Sequence, residues 1–191
     1  MSEALSQLYK GFVDSTDALV LRFDVPVPST EPFNTTCPLI HEDGQALLVV
    51  KLQNSWASFC RELVATSASN NSGSVRKAAN FVSQYMGYDH PVWHSPEFVV
   101  RVAKHLALPN ECRIDLHLSA SLSSGQVTGV RNYIVHPGDR TESKFQEVAA
   151  AIGTPGVGVG KLLNFRYSGG TTLFERWVKD LQRTARNTTI V

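Results

Sequence analysis

The sequence has few cysteines and no long apolar run. Three cysteines, Cys37, Cys60 and Cys112, are odd in number and lack metal-ligand spacing, which favours a reducing cytoplasm and no zinc site. We expect Cys60 and Cys112 to be core thiols. No segment approaches the ~18 consecutive apolar residues of a transmembrane helix, so we expect no membrane association. The first residues, MSEALSQLYKGF, contain an early acidic residue and no apolar stretch, and we expect no export signal.

The net charge is only +1, but it is unevenly distributed. Residues 1–47 contain two basic and seven acidic residues, a net charge of −5, whereas residues 161–191 contain six basic and two acidic residues, a net charge of +4. A basic C-terminal part favours a polyanionic partner, and an acidic N-terminal part could mask it or contact a second copy. Two solvated faces with no partner are the alternative interpretation.

The apolar residues recur mostly every three or four positions, which predicts helices. The predicted helical segments are 43–68, 75–86, 94–109, 111–136 and 141–153, a short one around Leu5, Leu8 and Phe12, and a last one that begins at Thr172. Gly125 and Gly129 could interrupt the segment 111–136. Residues 18–23, ALVLRF, suggest a strand. The pattern as a whole predicts an all-α, single-domain helical bundle.

Two helix starts and one connector are well specified. Ser95 and Pro96 suit the cap and the first helical position of one helix, and Thr172 with Glu175 has the spacing of a capping box. Residues 24–39 contain four of the nine prolines and are predicted to be an extended connector. We therefore predict an N-terminal helix and Pro-rich connector over residues 1–44, and a helical domain over residues 45–191.

The glycine-rich stretch GTPGVGVGKLL, residues 153–163, is similar to a phosphate-binding loop but does not match one. Pro155 stands where the pattern needs a glycine, and Leu162 stands where it needs a hydroxyl for magnesium. We predict a mobile loop near the functional site rather than a nucleotide-binding loop.

Two histidines, His90 and His94, are four residues apart, which would suit a metal ion on a helix face. Pro91 and Pro96 instead favour a loop in which these histidines cap and pack. We predict no metal site and no cofactor.

The segment GVRNYIVHPGDR, residues 129–140, combines groups that suit RNA cleavage. RNA supplies its own 2′-hydroxyl nucleophile, so the reaction needs a base, an acid and cationic donors for the phosphate oxygens. A histidine such as His136 can be base or acid near neutral pH, and Arg131 suits bidentate contact with a phosphate. Asn132 could orient either side chain or hydrogen-bond the sugar. Pro137 disfavours helical geometry at His136, so we expect a helix to end there.

Arg131 and His136, with Asn132 directly after the arginine, resemble the signature of the HEPN superfamily (higher eukaryotes and prokaryotes nucleotide-binding). Its members are all-α domains, many of them metal-independent endoribonucleases that act as toxins or in antiviral defence. The segment SWASFCRELV resembles the leading helix of the HEPN group called RiboL-PSP, and the resemblance covers residues 45–187. It implies a homodimer in which two motifs share one cleft, and cleavage of single-stranded RNA to a 2′,3′-cyclic phosphate and a 5′-hydroxyl.

The resulting hypothesis is a cytoplasmic, homodimeric, HEPN-like endoribonuclease, acting as a toxin or defence effector, to which an antitoxin or another protein could bind. It makes His136 the general acid or base, Arg131 the phosphate ligand and Asn132 the supporting residue. The residues predicted to hold the RNA backbone share a positive charge: Arg140, Lys161, Arg166, Arg176, Lys179 and Arg183.

Other interpretations of the motif stay open. Arg131 could pair with a carboxylate such as Asp139, and His136 could cap a helix end, which would make HPGD an ordinary turn. The main alternative function is a non-catalytic helical module that binds a protein partner or a nucleotide. A structural protein with no role in nucleic-acid binding is the third interpretation.

Overall fold

The computed structural model describes residues 2–23, 37–72 and 92–190. Within those ranges the chain forms eight α-helices and one isolated antiparallel bridge, between Arg166 and Thr172. The helices are α1 (Glu3–Phe23), α2 (Cys37–Ser72), α3 (Pro96–His105), α4 (Glu111–Ser119), α5 (Leu122–Val135), α6 (Asp139–Ile152), α7 (Val159–Leu163) and α8 (Leu173–Thr189). The all-α prediction is confirmed for this part of the chain. The predicted helix 75–86 and most of the predicted connector lie outside the described residues.

The strand suggested by residues 18–23 is wrong, because this segment is the last turn and a half of α1. Leu19 and Phe23, four residues apart, are both buried, whereas Leu21 between them is 71% exposed. In a strand Leu21 would share the face of Leu19 and Phe23, whereas a helix places residues four apart on one face and the residue midway between them on the other. Phe23 stacks on Phe174 of α8, with ring centroids 4.7 Å apart, and this contact holds the end of α1 in the core.

The centre of the core lies between α1, α2 and α8. Phe12 of α1 packs on Trp56 and Phe59 of α2, at centroid distances of 5.8 and 4.9 Å. Aromatic pairs of this kind each contribute about 0.5–1.5 kcal/mol beyond the burial of their area. The predicted division between residues 44 and 45 falls inside α2, and α1 shares the core of the helices that follow it.

The predicted helix 111–136 is two helices, α4 and α5, separated by Ala120 and Ser121 rather than at the glycines. The break turns α5 so that its polar side chains reach α8. Ser123 Oγ donates to Asp180 Oδ2 at 2.9 Å, and Trp177 Nε1 donates to Gln126 Oε1 at 2.8 Å. These hydrogen bonds join residues that are distant in the sequence, so the spacing of apolar residues within one segment does not predict them.

The two predicted helix caps, at Ser95 and Thr172, are confirmed, whereas the helix predicted to begin at residue 43 begins at Cys37, within the last residues of the predicted connector. Ser95 Oγ accepts from the Phe98 N–H at 3.4 Å at the start of α3, with Pro96 at the first helical position. At α8, Thr172 Oγ1 accepts from the Glu175 N–H at 3.2 Å, and Glu175 Oε2 accepts from the Thr172 N–H at 2.6 Å. This last bond is the main reason that the pKa of Glu175 lies below its usual value.

The two cysteine side chains in the described ranges differ in their exposure to solvent. Cys60 is buried in the core, and burial raises its pKa. Cys112 is exposed, which corrects the prediction of a core thiol. The buried face of α4 is set by Ile114 and Leu118, and Cys112 lies on a different face. No helix in the described ranges is long and apolar enough to cross a membrane.

Candidate active site

His136 lies at the exposed C-terminal end of α5. Its backbone N–H still donates to the Asn132 carbonyl at 2.9 Å, but its φ and ψ of −133° and 67° are no longer helical. The helix end predicted from Pro137 is therefore confirmed. Because the residue is exposed, a ligand in solvent can reach the imidazole.

Arg131 is half-buried and is held by its neighbour in the sequence. Its Nη1 donates to Asn132 Oδ1 at 3.0 Å, so Asn132 takes one of the two roles considered for it and orients the guanidinium. The Nε of Arg131 is buried and has no hydrogen-bond partner in the described part of the chain. No ion pair joins Arg131 to Asp139 there, so the alternative in which these two residues neutralise each other is not observed.

The turn after His136 is tied down by Thr141, which sequence reasoning did not identify. Its hydroxyl lies 2.7 Å from the His136 carbonyl oxygen and 2.8 Å from that of Gly138, and it can donate to either. Tyr133 and Phe145 stack with centroids 4.6 Å apart and join α5 to α6. Residues 136–138 thus form the bend between α5 and α6, Asp139 already belongs to α6, and the bonds of Thr141 fix the backbone that carries His136.

A second histidine, His94, comes close to Arg131. It lies in a turn before α3, as the prolines predicted, and it is half-buried. Burial lowers the pKa of His94, and the positive charge of Arg131 lowers it further. These residues are far apart in the sequence, and their approach depends on how α3 packs against its neighbours, so residue spacing does not predict it. His90 lies outside the described residues, and within them no group of three metal-binding side chains occurs.

Three of the predicted RNA-binding residues, Arg166, Arg176 and Lys179, come together at the start of α8. The guanidinium of Arg176 lies 4.3 Å from the ring centre of Tyr167, and Arg166 donates to the Gly170 carbonyl at 2.7 Å. Arg166 and Lys179 both lie near Glu175, where their charges add to the hydrogen bonds that lower its pKa. We call Arg166, Tyr167, Arg176 and Lys179 the basic cluster.

The other predicted cations lie apart from one another. Arg183 pairs with Asp180 at 2.9 Å, which neutralises part of its charge. Lys161 is exposed on α7, and Arg140 is exposed in the first turn of α6, four residues beyond His136. Of the glycine-rich stretch, residues 153–158 connect α6 to α7 and residues 159–163 are α7 itself rather than part of a loop; Gly153 ends α6 with a φ of 87°.

Comparisons with protein-family models, with curated proteins and with solved structures found no match. The site is therefore interpreted from its own residues.

Proposed function

We propose that this chain is a metal-independent, HEPN-like endoribonuclease that cleaves single-stranded RNA. The main support is the end of α5, where an exposed histidine follows an arginine whose guanidinium is held by an asparagine. His136 can exchange a proton with solvent and substrate, and Arg131 can donate to a phosphate. These are the two abilities that RNA cleavage requires of a protein.

The reaction follows from these groups. A neutral imidazole removes the proton of the 2′-hydroxyl, and the 2′-oxygen attacks the adjacent phosphorus. The bond from phosphorus to the 5′-oxygen breaks, and an imidazolium gives that oxygen a proton. The products are a 2′,3′-cyclic phosphate and a 5′-hydroxyl. Arg131 stabilises the charge that builds on the non-bridging oxygens, and Asn132 keeps the guanidinium in place.

A homodimer would supply the second imidazole. One His136 would act as the base and the His136 of a second copy as the acid, across a two-fold axis. Val135, next to His136, is 39% exposed and offers an apolar side chain that a second copy could bury. The dimer is part of the proposal.

The basic cluster is proposed to hold the RNA backbone. Arg166 and Lys179 are charged and exposed, and Arg176 is exposed over the face of Tyr167. Cations next to an aromatic ring are the combination that single-stranded nucleic acids bind, through phosphate contacts and base stacking. Arg140 is proposed to contribute nearer to the motif.

The proposal is tested by incubating single-stranded RNA with the purified chain in excess EDTA. We expect cleavage to persist, and His136→Ala to lower its rate about 10²- to 10⁴-fold through loss of general acid–base catalysis. His117→Ala, which changes a half-buried histidine on α4, is the matched control and should keep its rate. His136 is exposed, so its substitution should change the free energy of unfolding by less than about 0.5 kcal/mol.

Two results would contradict the assignment: activity that disappears in EDTA, or full activity in His136→Ala. Either one would favour the non-catalytic module. If the chain acts as a toxin or defence effector, its expression should arrest growth of the host cell, and Arg131→Ala should relieve the arrest.

A further inference from the structure

A cavity of about 510 Å³ lies beside the motif. It is formed by the beginning of α3, the end of α4 and the first turns of α5. Its size falls in the range of about 300–1,000 Å³ that is typical of small-ligand sites. The proposed mechanism does not use it.

The cavity and the motif share one face of α5. Gly125 and Thr128 line the cavity, and the spacing of three and four residues continues from them to Asn132 and then to His136. Thr128 and Asn132 are one helical turn apart, about 6 Å along the axis. His94, on the opposite wall, is near enough to Arg131 to feel its charge. A ligand in the cavity would therefore be adjacent to the group that binds the phosphate.

The lining has the wrong charge for a phosphate. Among the described residues that line it there is no lysine or arginine, and the carboxylate of Glu97, which repels anions, is one of them. The ligand that fits this electrostatic environment is uncharged.

Neutral polar groups are present instead. Ser121 Oγ is buried and has no hydrogen-bond partner within the described ranges. Thr128 Oγ1 accepts from Gln53 Nε2 at 3.3 Å, and its own hydroxyl proton remains for a ligand. A neutral His94 offers one donor and one acceptor. Pro96 adds apolar surface against which a flat ring can pack.

We propose that this cavity accepts one base of the RNA strand, next to the phosphate that Arg131 binds, and so gives the enzyme a sequence preference. This inference rests on the proposed ribonuclease function for the nature of the ligand. A nucleobase is flat and uncharged and carries both donors and acceptors on its edge, which matches the groups that line the cavity.

The test blocks the cavity and removes the base in turn. Gly125→Leu is suited to blocking, because Gly125 is exposed and a Cβ built there meets no atom within 4 Å. Leucine also favours a helix more than glycine does. Gly44→Leu is the matched control: Gly44 is an exposed glycine on α2, is equally open, and lies outside the cavity.

Both variants are made in the His136→Ala background, which is the parent protein of this experiment, so that RNA is bound without being cleaved. The probes are fluorescent single-stranded hexaribonucleotides, intact or with one abasic position moved along the strand. We expect one abasic position to weaken binding to the parent about tenfold. Gly125→Leu should weaken binding of the intact strand to the same extent. In this variant, removal of the base at that position should cause no further loss of affinity, whereas Gly44→Leu should bind both strands as the parent does.

The inference is overturned if Gly125→Leu binds the intact strand as tightly as the parent, or if the abasic strand loses affinity equally in both. Should Gly125→Leu fail to fold, Ser121→Ala replaces it, and it should reduce the discrimination among strands of different sequence severalfold. Unchanged discrimination would then overturn the proposal.

These outcomes are separate from those of the nuclease test. RNA binding to His136→Ala does not depend on catalysis. If the expected binding results are obtained but the original chain cleaves no RNA, the base-binding cavity is supported and the ribonuclease function is rejected. If Gly125→Leu cleaves RNA with an unaltered sequence preference, the ribonuclease function is supported and the base-binding cavity is rejected.

Discussion

The helices α8 and α5 lie against each other but are held by different kinds of contact. One face of α8 is fully buried and largely apolar, including Phe174, Trp177 and Leu181, and the helix starts with a complete capping box. The buried positions of α5 include two serines, Ser123 and Ser124, and the helix ends at an exposed histidine. The apolar stripe of α8 stabilises the fold, whereas α5 is oriented by polar bonds and leaves a polar face free for a ligand. A continuous buried apolar face thus belongs to α8, whereas the residues proposed for catalysis lie at the end of α5.

The largest expected effect is on the α8 side. Trp177 is fully buried, so Trp177→Ala should lower the free energy of unfolding by about 3–5 kcal/mol, through the lost packing and the cavity left behind. It also leaves Gln126 Oε1 without its donor. Chemical denaturation measures the change.

Trp177→Phe is the control, because it keeps a ring in the core and loses only the indole N–H and some volume. A cost below about 1 kcal/mol for Trp177→Ala, the typical effect of an ordinary substitution, would show that α8 does not have the stabilising role described here.

A smaller effect distinguishes the two helix starts. Thr172→Ala removes the capping box of α8 and should cost about 1 kcal/mol. Ser121→Ala changes the equivalent position of α5, where the side chain makes no capping bond, and should cost less than about 0.5 kcal/mol. Thermal unfolding of the two variants at one pH gives the comparison. Equal costs would mean that α5 depends on its first residue as much as α8 does.

The smallest effect is a pH dependence on the α5 side. The pKa of His94 is lower in the folded chain than the ~6.5 of an unperturbed histidine, because of burial and then of Arg131. Above that unperturbed value both states are neutral, and this histidine does not affect stability. As the pH falls below the unperturbed pKa, His94 of the unfolded state is protonated first. The free energy of unfolding therefore decreases until the pH is also below the pKa of His94 in the folded state.

Replacement with a residue that cannot titrate should remove this loss. Urea midpoints at pH 7.5 and 5.5 should therefore differ less for His94→Gln than for the original chain. If His94→Gln kept the full difference, other groups would be responsible for it.

Local features of the sequence predicted local features of the fold. The starts at Ser95 and Thr172 and the end before Pro137 depend on the chemistry of neighbouring residues, and all three are confirmed. The Arg131–Asn132 bond is also local, since the two residues are adjacent.

Features that depend on packing were missed. After the break between α4 and α5, side chains of α5 bond to α8, and at the end of α1 Phe23 contacts Phe174; these contacts join residues that are far apart in the sequence. The approach of His94 to Arg131 and the cavity beside them need the positions of three helices, which residue spacing along one chain does not give.

The buried Nε of Arg131 has a consequence for engineering. This donor has no acceptor among the described residues, and a buried donor without one costs about 1–3 kcal/mol of stability. An aliphatic side chain of similar length would remove the penalty, and a library selected only for heat resistance would be expected to lose the arginine early. Under the proposed function, variants selected in this way would lose the residue assigned to the phosphate, so greater stability would come with lower activity.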